Sequence, residues 1–184
     1  MEVSNIETTR LKIRHLRLSD LPDFHVYRSN PEVVKYQSFD TMTMEQAEEF
    51  IKDNSARHFG KAGEWVQYGI ENKETKKIIG DCAIKLDQSD IRIAEIGITI
   101  SHLEQKKGFA KEALIGILSF LFDTQKIHRV VEISDAENRA SVNLLKSIGF
   151  RQEGHFIENI FFKGKWGSEF QFAMLKREWD DRKK

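Results

Sequence analysis

The sequence predicts one mixed α/β (α+β) domain built around a single sheet, and three observations carry that prediction. The chain has 184 residues, the size of one ordinary domain, with 40% apolar residues, 32% charged and thirteen Phe; that is enough for a core and too aromatic for a disordered chain. Period-two alternation and apolar stripes at helical spacing follow one another without strict order. The two prolines, Pro22 and Pro31, lie early, and no Gly/Ser/Pro-rich linker or repeat divides the rest, so residues 1–184 read as a single domain.

The elements follow in order. Leu11 to Leu16 alternates apolar and polar residues, as a half-buried strand does. Ser19 or Asp20 can cap a short helix that runs through Tyr27 and ends before Pro31. Thr43 to about His58 reads as a helix with Met44, Ala47, Phe50 and Ile51 on one face. Val66 to Glu71 and Ile78 to Leu86 are strands joined by the turn-prone Asn72-Lys73-Glu74-Thr75, and Ile91 to Ile100 is a third apolar strand. Gly108 precedes a helix with the stripe Ala110, Ala113, Leu114, Ile117, Leu118 and Leu121. Arg129 to Ser134 is a strand and Arg139 to Ser147 a helix that Gly149 stops. Phe156 to Phe162 and Glu169 to Lys176 close the domain as a hairpin around Lys163-Gly164-Lys165, and Arg177 to Lys184 reads as a solvated tail.

Composition excludes several classes. Lys plus Arg and Asp plus Glu are 29 each, so the formal net charge is zero and the general pull toward nucleic acid is absent. One cysteine, Cys82, excludes an intramolecular disulfide, and six His without HxH or HxxxH spacing argue against a metal. Cys82 reads as inert packing in an apolar strand. No apolar run reaches membrane-spanning length and the start MEVSNIETTR lacks a signal-peptide core, so a cytoplasmic protein without a membrane partner is expected.

The stretch most suggestive of chemistry is Gln105-Lys106-Lys107-Gly108-Phe109-Ala110-Lys111, between an apolar strand and an amphipathic helix. A helix start of this kind offers unpaired N–H groups and a positive dipole end to a phosphate. Three Lys against one acid from Leu103 to Lys111 make this neutral chain locally basic. The spacing alone fits equally a helix start with solvated lysines. It is neither a P-loop nor a GxGxxG fingerprint.

Gln105-x-x-Gly108-x-Ala110 resembles the Q/R-x-x-G-x-G/A acyl-CoA signature of the GNAT superfamily of acetyl-CoA-dependent N-acetyltransferases. Asn138-x-x-Ser141 followed by Gly149-Phe150 resembles that superfamily's second motif. Thr9 to Arg14, Ala94 to Ile98, Gly164-Lys165-Trp166 and Leu175 to Trp179 are similar to the branch that acetylates N-termini of ribosomal proteins and related small amines (the RimJ/RimL type). Lys106 stands where that branch usually has glycine, and Ser168 where it often has Asp.

The resemblance implies a mostly antiparallel mixed sheet flanked by helices, and transfer of acetyl from acetyl-CoA to a primary amine by direct attack. It places the pyrophosphate on Gln105, Lys106, Lys107, Gly108, Phe109, Ala110 and Lys111. Pantetheine would lie between the backbone of Ile98 to Ile100 and Asn138, with Lys146 also at the cofactor. Ser141 would serve the leaving thiol. Glu95, beside the small Gly97 and Thr99, is the leading base, with a strand-edge salt bridge as the structural reading of the same residue; His102, Glu158 and Glu169 are rivals, as is a mechanism without a dedicated base. Asn138 also reads simply as a helix N-cap. Trp65, Trp166, Phe156, Phe161 and Phe162 fit a pocket wall or, more commonly, core. A non-catalytic acyl-CoA sensing module is the alternative function, and a nucleotide-binding protein a poorer one. The acceptor, a peptide N-terminus or a small amine, has no readable code, and a homodimer is a general expectation.

Overall fold

The computed structural model describes residues 6–182. One eight-stranded sheet runs through it in the order β1-β2-β3-β4-β5-β6-β8-β7. The strands are β1 (Ile6–Glu7), β2 (Leu11–His15), β3 (Trp65–Asn72), β4 (Ile78–Leu86), β5 (Ile93–Ile100), β6 (Arg129–Asp135), β7 (Arg151–Phe162) and β8 (Lys165–Leu175). Every neighbouring pair is antiparallel except β5 with β6. The expected mixed, mostly antiparallel sheet is therefore present.

The helices are α1 (Leu21–Arg28), α2 (Pro31–Val34), α3 (Met44–Ser55), α4 (Phe109–Ser119), α5 (Arg139–Ile148) and α6 (Lys176–Asp181). Strand alternation sorts them onto two faces. On one face Asp81 of β4 receives hydrogen bonds from Tyr27 and Arg28 of α1, and Leu16, Phe24, Tyr27, Ala47, Ile51 and Ile78 form a small core. On the other, the larger core joins Cys82, Ile84 and Ile96 to Leu114, Ile117 and Leu118 of α4 and to Val142, Leu145 and Ile148 of α5. Both faces are covered, which is why β3 to β5 are apolar along most of their length.

Local chemistry fixes the ends. Thr43 and Gln46 exchange hydrogen bonds in a capping box that starts α3. The helix ends at Ser55, short of His58, and Met44 in its first turn is exposed rather than on the apolar face. Asp20 does not cap α1 with its side chain; it accepts from Arg17 N and from both Nη atoms of Arg14.

Five further features depart from the sequence expectations. Pro31 starts a helical turn, α2, capped by Asn30. A π-helical turn, Phe120–Thr124, continues α4. Strand β7 begins five residues before Phe156. The supposed tail is α6, with Trp179 buried, stacked on Phe122 and donating to Asp123. Phe156, Phe161 and Trp166 are exposed, not core. Cys82 is fully buried as expected, and burial beside Asp81 pushes its thiol well above the ordinary range.

Candidate active site

The ladder between β5 and β6 is short. It pairs Ile93 to Glu95 with Arg129 to Val131 and then stops. Beyond it β5 stays with β4 as far as Ile100, and β6 stays with β8 as far as Asp135. The strands therefore part like a V, and the inner edge of β5 from Ile96 to Ile100, including the expected Ile98 and Ile100, faces no strand. Backbone amides are obligatory hydrogen-bonding groups, so this edge suits a ligand that carries amides along its length.

The turn from β5 into α4 closes the top of the V. Gln105 donates from Nε2 to Ile100 O at 3.2 Å, tying the turn to the strand end. Gly108 is the N-cap at φ +83°, a left-handed conformation that favours glycine. It leaves the first-turn N–H groups of Phe109, Ala110 and Lys111 without intrahelical acceptors. Lys106 adopts φ +62°, so lysine occupies a left-handed position at the residue where the RimJ/RimL-type branch usually has glycine. Its side chain and that of Lys107 are exposed, and Lys107 pairs with Glu104 at 3.0 Å.

A partly exposed hydrogen-bonded brace holds this turn. Glu112, in the first turn of α4, accepts from Thr8 Oγ1 at 2.6 Å, Arg10 N at 2.7 Å and Arg10 Nε at 2.6 Å. Arg10 also donates to Lys107 O at 3.1 Å and lies 4.4 Å over the Phe109 ring. Burial alone would raise the Glu112 carboxyl; the bonds from Thr8 and Arg10 outweigh it and lower it. The sequence resemblance touched Arg10 but did not show this brace. An open cavity of about 570 Å³ lies between the β1–β2 turn and α4, with Gly108 and Lys111 in its wall.

Asn138 and Ser141 open α5 near the end of β6. Asn138 is the N-cap, its Oδ1 accepting from Ser141 N at 3.2 Å. Lys146 is exposed in the last turn of α5, beside Ser147, whose carbonyl accepts from Lys111 Nζ at 3.4 Å. Lys111 thus reaches across to the last turn of α5.

Glu95 lies on the α1 face and pairs with Lys85 at 2.6 Å, which in turn sits 4.5 Å over Trp65. The space above Gly97 is open. Of the rival residues, His102 is exposed, Glu158 is an exposed bulge residue at φ +47°, and Glu169, opposite Asp135 of β6, is tied to Asn159 at 2.6 Å. Ser168 accepts from Glu158 N at 2.9 Å and so shapes that bulge. A small cavity of about 180 Å³ lies on the same side, between Lys35 and Tyr36 after α2, Asp135 at the end of β6, and Phe162 and Lys163 at the hairpin tip.

The residue that sequence reasoning missed is Glu132. It is the first β6 residue beyond the last β5 pair, is 5% exposed, and its Oε2 has no hydrogen-bond partner. Burial, with repulsion from Glu95, pushes its carboxyl up to about 8. The available signal was an acid inside the apolar run Val130-Val131-Glu132-Ile133.

Comparison with known proteins agrees with this geometry. Residues 10–151 match the acetyltransferase (GNAT) domain family. The uncharacterized N-acetyltransferase p20 of Bacillus licheniformis is 30% identical over 178 residues, 96% of this chain and 99% of the relative. The alanine N-acetyltransferase of ribosomal protein uS5 from Escherichia coli is 27% identical over 122 residues, covering 66% and 63%. The crystal structure of spermidine N-acetyltransferase from Vibrio cholerae, solved with CoA and spermine, superimposes with a TM-score of 0.78 at 23% identity, covering 94% and 99%. The chain belongs to the GNAT acetyltransferase family, whose enzymes use acetyl-CoA.

Proposed function

We propose that the protein acetylates a primary amine, the α-amine of a protein N-terminus or the amine of a small molecule, by direct attack on acetyl-CoA in a ternary complex. The observation that carries this reading is the unpaired inner edge of β5 set beside the open first turn of α4. Pantetheine amides complete the Ile98 to Ile100 edge, and Asn138 meets them from α5. The pyrophosphate takes the N–H groups after Gly108, with Gln105 to Lys111 and Lys146 supplying donors and positive charge. An N–H of the β5 edge faces the oxyanion that develops on the thioester carbonyl.

The acceptor enters on the α1 face, through the cavity at Lys35 and Phe162. Glu95 lies on that face, where it takes the proton of the attacking amine through water, and Lys85 steadies it. Ser141 Oγ donates a hydrogen bond to the leaving sulfur.

Thermal unfolding with and without acetyl-CoA, with ATP as control, tests the cofactor. A ligand at ~100 times its dissociation constant adds about 2.7 kcal/mol, which raises Tm by roughly 5–10 °C for a chain of this size. The expected result is a shift with acetyl-CoA and none with ATP. No shift with acetyl-CoA overturns the reading.

A further inference from the structure

Two carboxylates straddle the point where β5 and β6 part. Glu95 is in the last residue pair of the ladder, and Glu132 is the next residue of β6 after its partner Val131. Alternation puts them on opposite faces. Glu95 looks toward the α1 side with Lys85, whereas Glu132 lies with Val130 and Phe172 on the side packed by α4 and α5. That second side is the one from which α5 presents Asn138 and Ser141.

We propose that Glu132 is the proton donor to the departing CoA thiolate, acting from the sheet face opposite the attacking amine. The proposal rests on the acetyl-transfer reading above. In the step, the amine lone pair forms the C–N bond at the thioester carbonyl carbon. The C–S bond breaks with its electron pair going to sulfur, and the Glu132 Oε–H proton passes to that sulfur. The amine's proton goes to Glu95, and exchange with solvent restores both carboxyls. The net result is one proton moved from nitrogen to sulfur.

Three features of the site support the role. A carboxyl that is buried with an unpartnered oxygen keeps its proton at neutral pH, so Glu132 has one to give. Its acidity is close to that of a thiol, where proton transfer to a thiolate is best matched; a serine hydroxyl is far too weak an acid to be the source. Repulsion from Glu95 helps to hold the proton on Glu132. When Glu95 takes up the amine proton that repulsion disappears, and Glu132 becomes a stronger acid as the thiolate forms. The charged group acting on Glu132 is Glu95 of β5, itself held by Lys85 of β4. Phe172 of β8, Val130 and Ser134 along β6, and Val142 and Leu145 of α5 carry no charge, and Arg129 on the other face is bound to Glu153.

The test uses hydroxylamine as acceptor, because it is neutral at pH 7 and small enough to need neither a base nor a fitted pocket. Turnover is read as thiol release from acetyl-CoA. Glu132→Gln is expected to bind acetyl-CoA within twofold of wild type and to lower kcat roughly 100-fold or more. Wild-type kcat should fall as pH rises through about 8, and Glu132→Gln should lose that limb. Glu132→Asp, which keeps a proton to donate, should retain the limb with a smaller loss. Unchanged turnover in Glu132→Gln overturns the proposal. So does a wild-type kcat that rises through the same pH, since that makes Glu132 a proton acceptor. Absence of acetyl-CoA binding by the wild-type protein instead overturns the acetyl-transfer reading itself.

Discussion

Arg28 is 2% exposed, and Asp81 Oδ1 and Oδ2 accept from its Nη2 and Nε at 2.5 and 3.0 Å, while Tyr27 donates to the same carboxylate at 2.7 Å. Phe39 caps the guanidinium at 4.2 Å. Removing one partner of such a pair leaves a buried charge uncompensated, so Asp81→Ala should cost about 3–5 kcal/mol by urea denaturation. The same residue-scale logic explains what the sequence could and could not reveal. Asn138 was legible as the N-cap of α5 because a side-chain amide oxygen meets the free N–H groups of a helix start. Glu95 was legible as a strand residue beside small neighbours, but its Lys85 partner comes from another strand and has no local trace. Glu132 was hidden for a related reason. An acid in an apolar strand becomes chemically distinctive only when the strand beside it stops pairing, and no residue of β6 records where β5 departs.

At the scale of elements, α4 is held at its first turn by Glu112, and the three donors to that carboxylate all come from the β1–β2 turn. Glu112→Ala should therefore loosen the Gly108 turn without touching the reacting atoms. The expected outcome is roughly tenfold weaker acetyl-CoA binding, about 1.4 kcal/mol, with kcat at saturation little changed; isothermal titration and steady-state kinetics separate the two. Periodicity made α3, α4 and α5 legible, because each has one apolar face against one partner layer, and near-continuous apolar runs made β3 to β5 legible, because both of their faces are covered. Periodicity missed the first five residues of β7, which are mostly exposed on both sides, and it failed for α6, where charged residues surround the single anchor Trp179. Alternating apolar residues announce a strand only where one face is buried.

For the molecule as a whole, equal numbers of acids and bases remove most net repulsion near neutrality, so the pH dependence of stability falls to individual carboxyls. Glu153, hydrogen-bonded to Arg129 and to Arg151, is held down to about 2. Its folded value lies below the unfolded one, so it contributes stability above about pH 4.5 that is lost as pH falls toward 2. Glu132 has the opposite sign. Its folded value of about 8 lies above the unfolded 4.5, so the folded state keeps a proton that the unfolded chain releases; stability is fully present below about pH 4.5 and is lost as pH rises toward 8. At pH 7 the ionising unfolded state is favoured by about 3 kcal/mol through this one residue. Glu132→Gln, which is neutral in both states, should therefore gain about that much stability at pH 7 to 8 and almost none at pH 4.5, as read by urea denaturation at each pH. A loss of equal size at both pH values would mean that Glu132 has a partner in the folded protein. A gain confined to the higher pH would identify a buried carboxyl that lowers the stability of the fold and holds its proton where the two strands part.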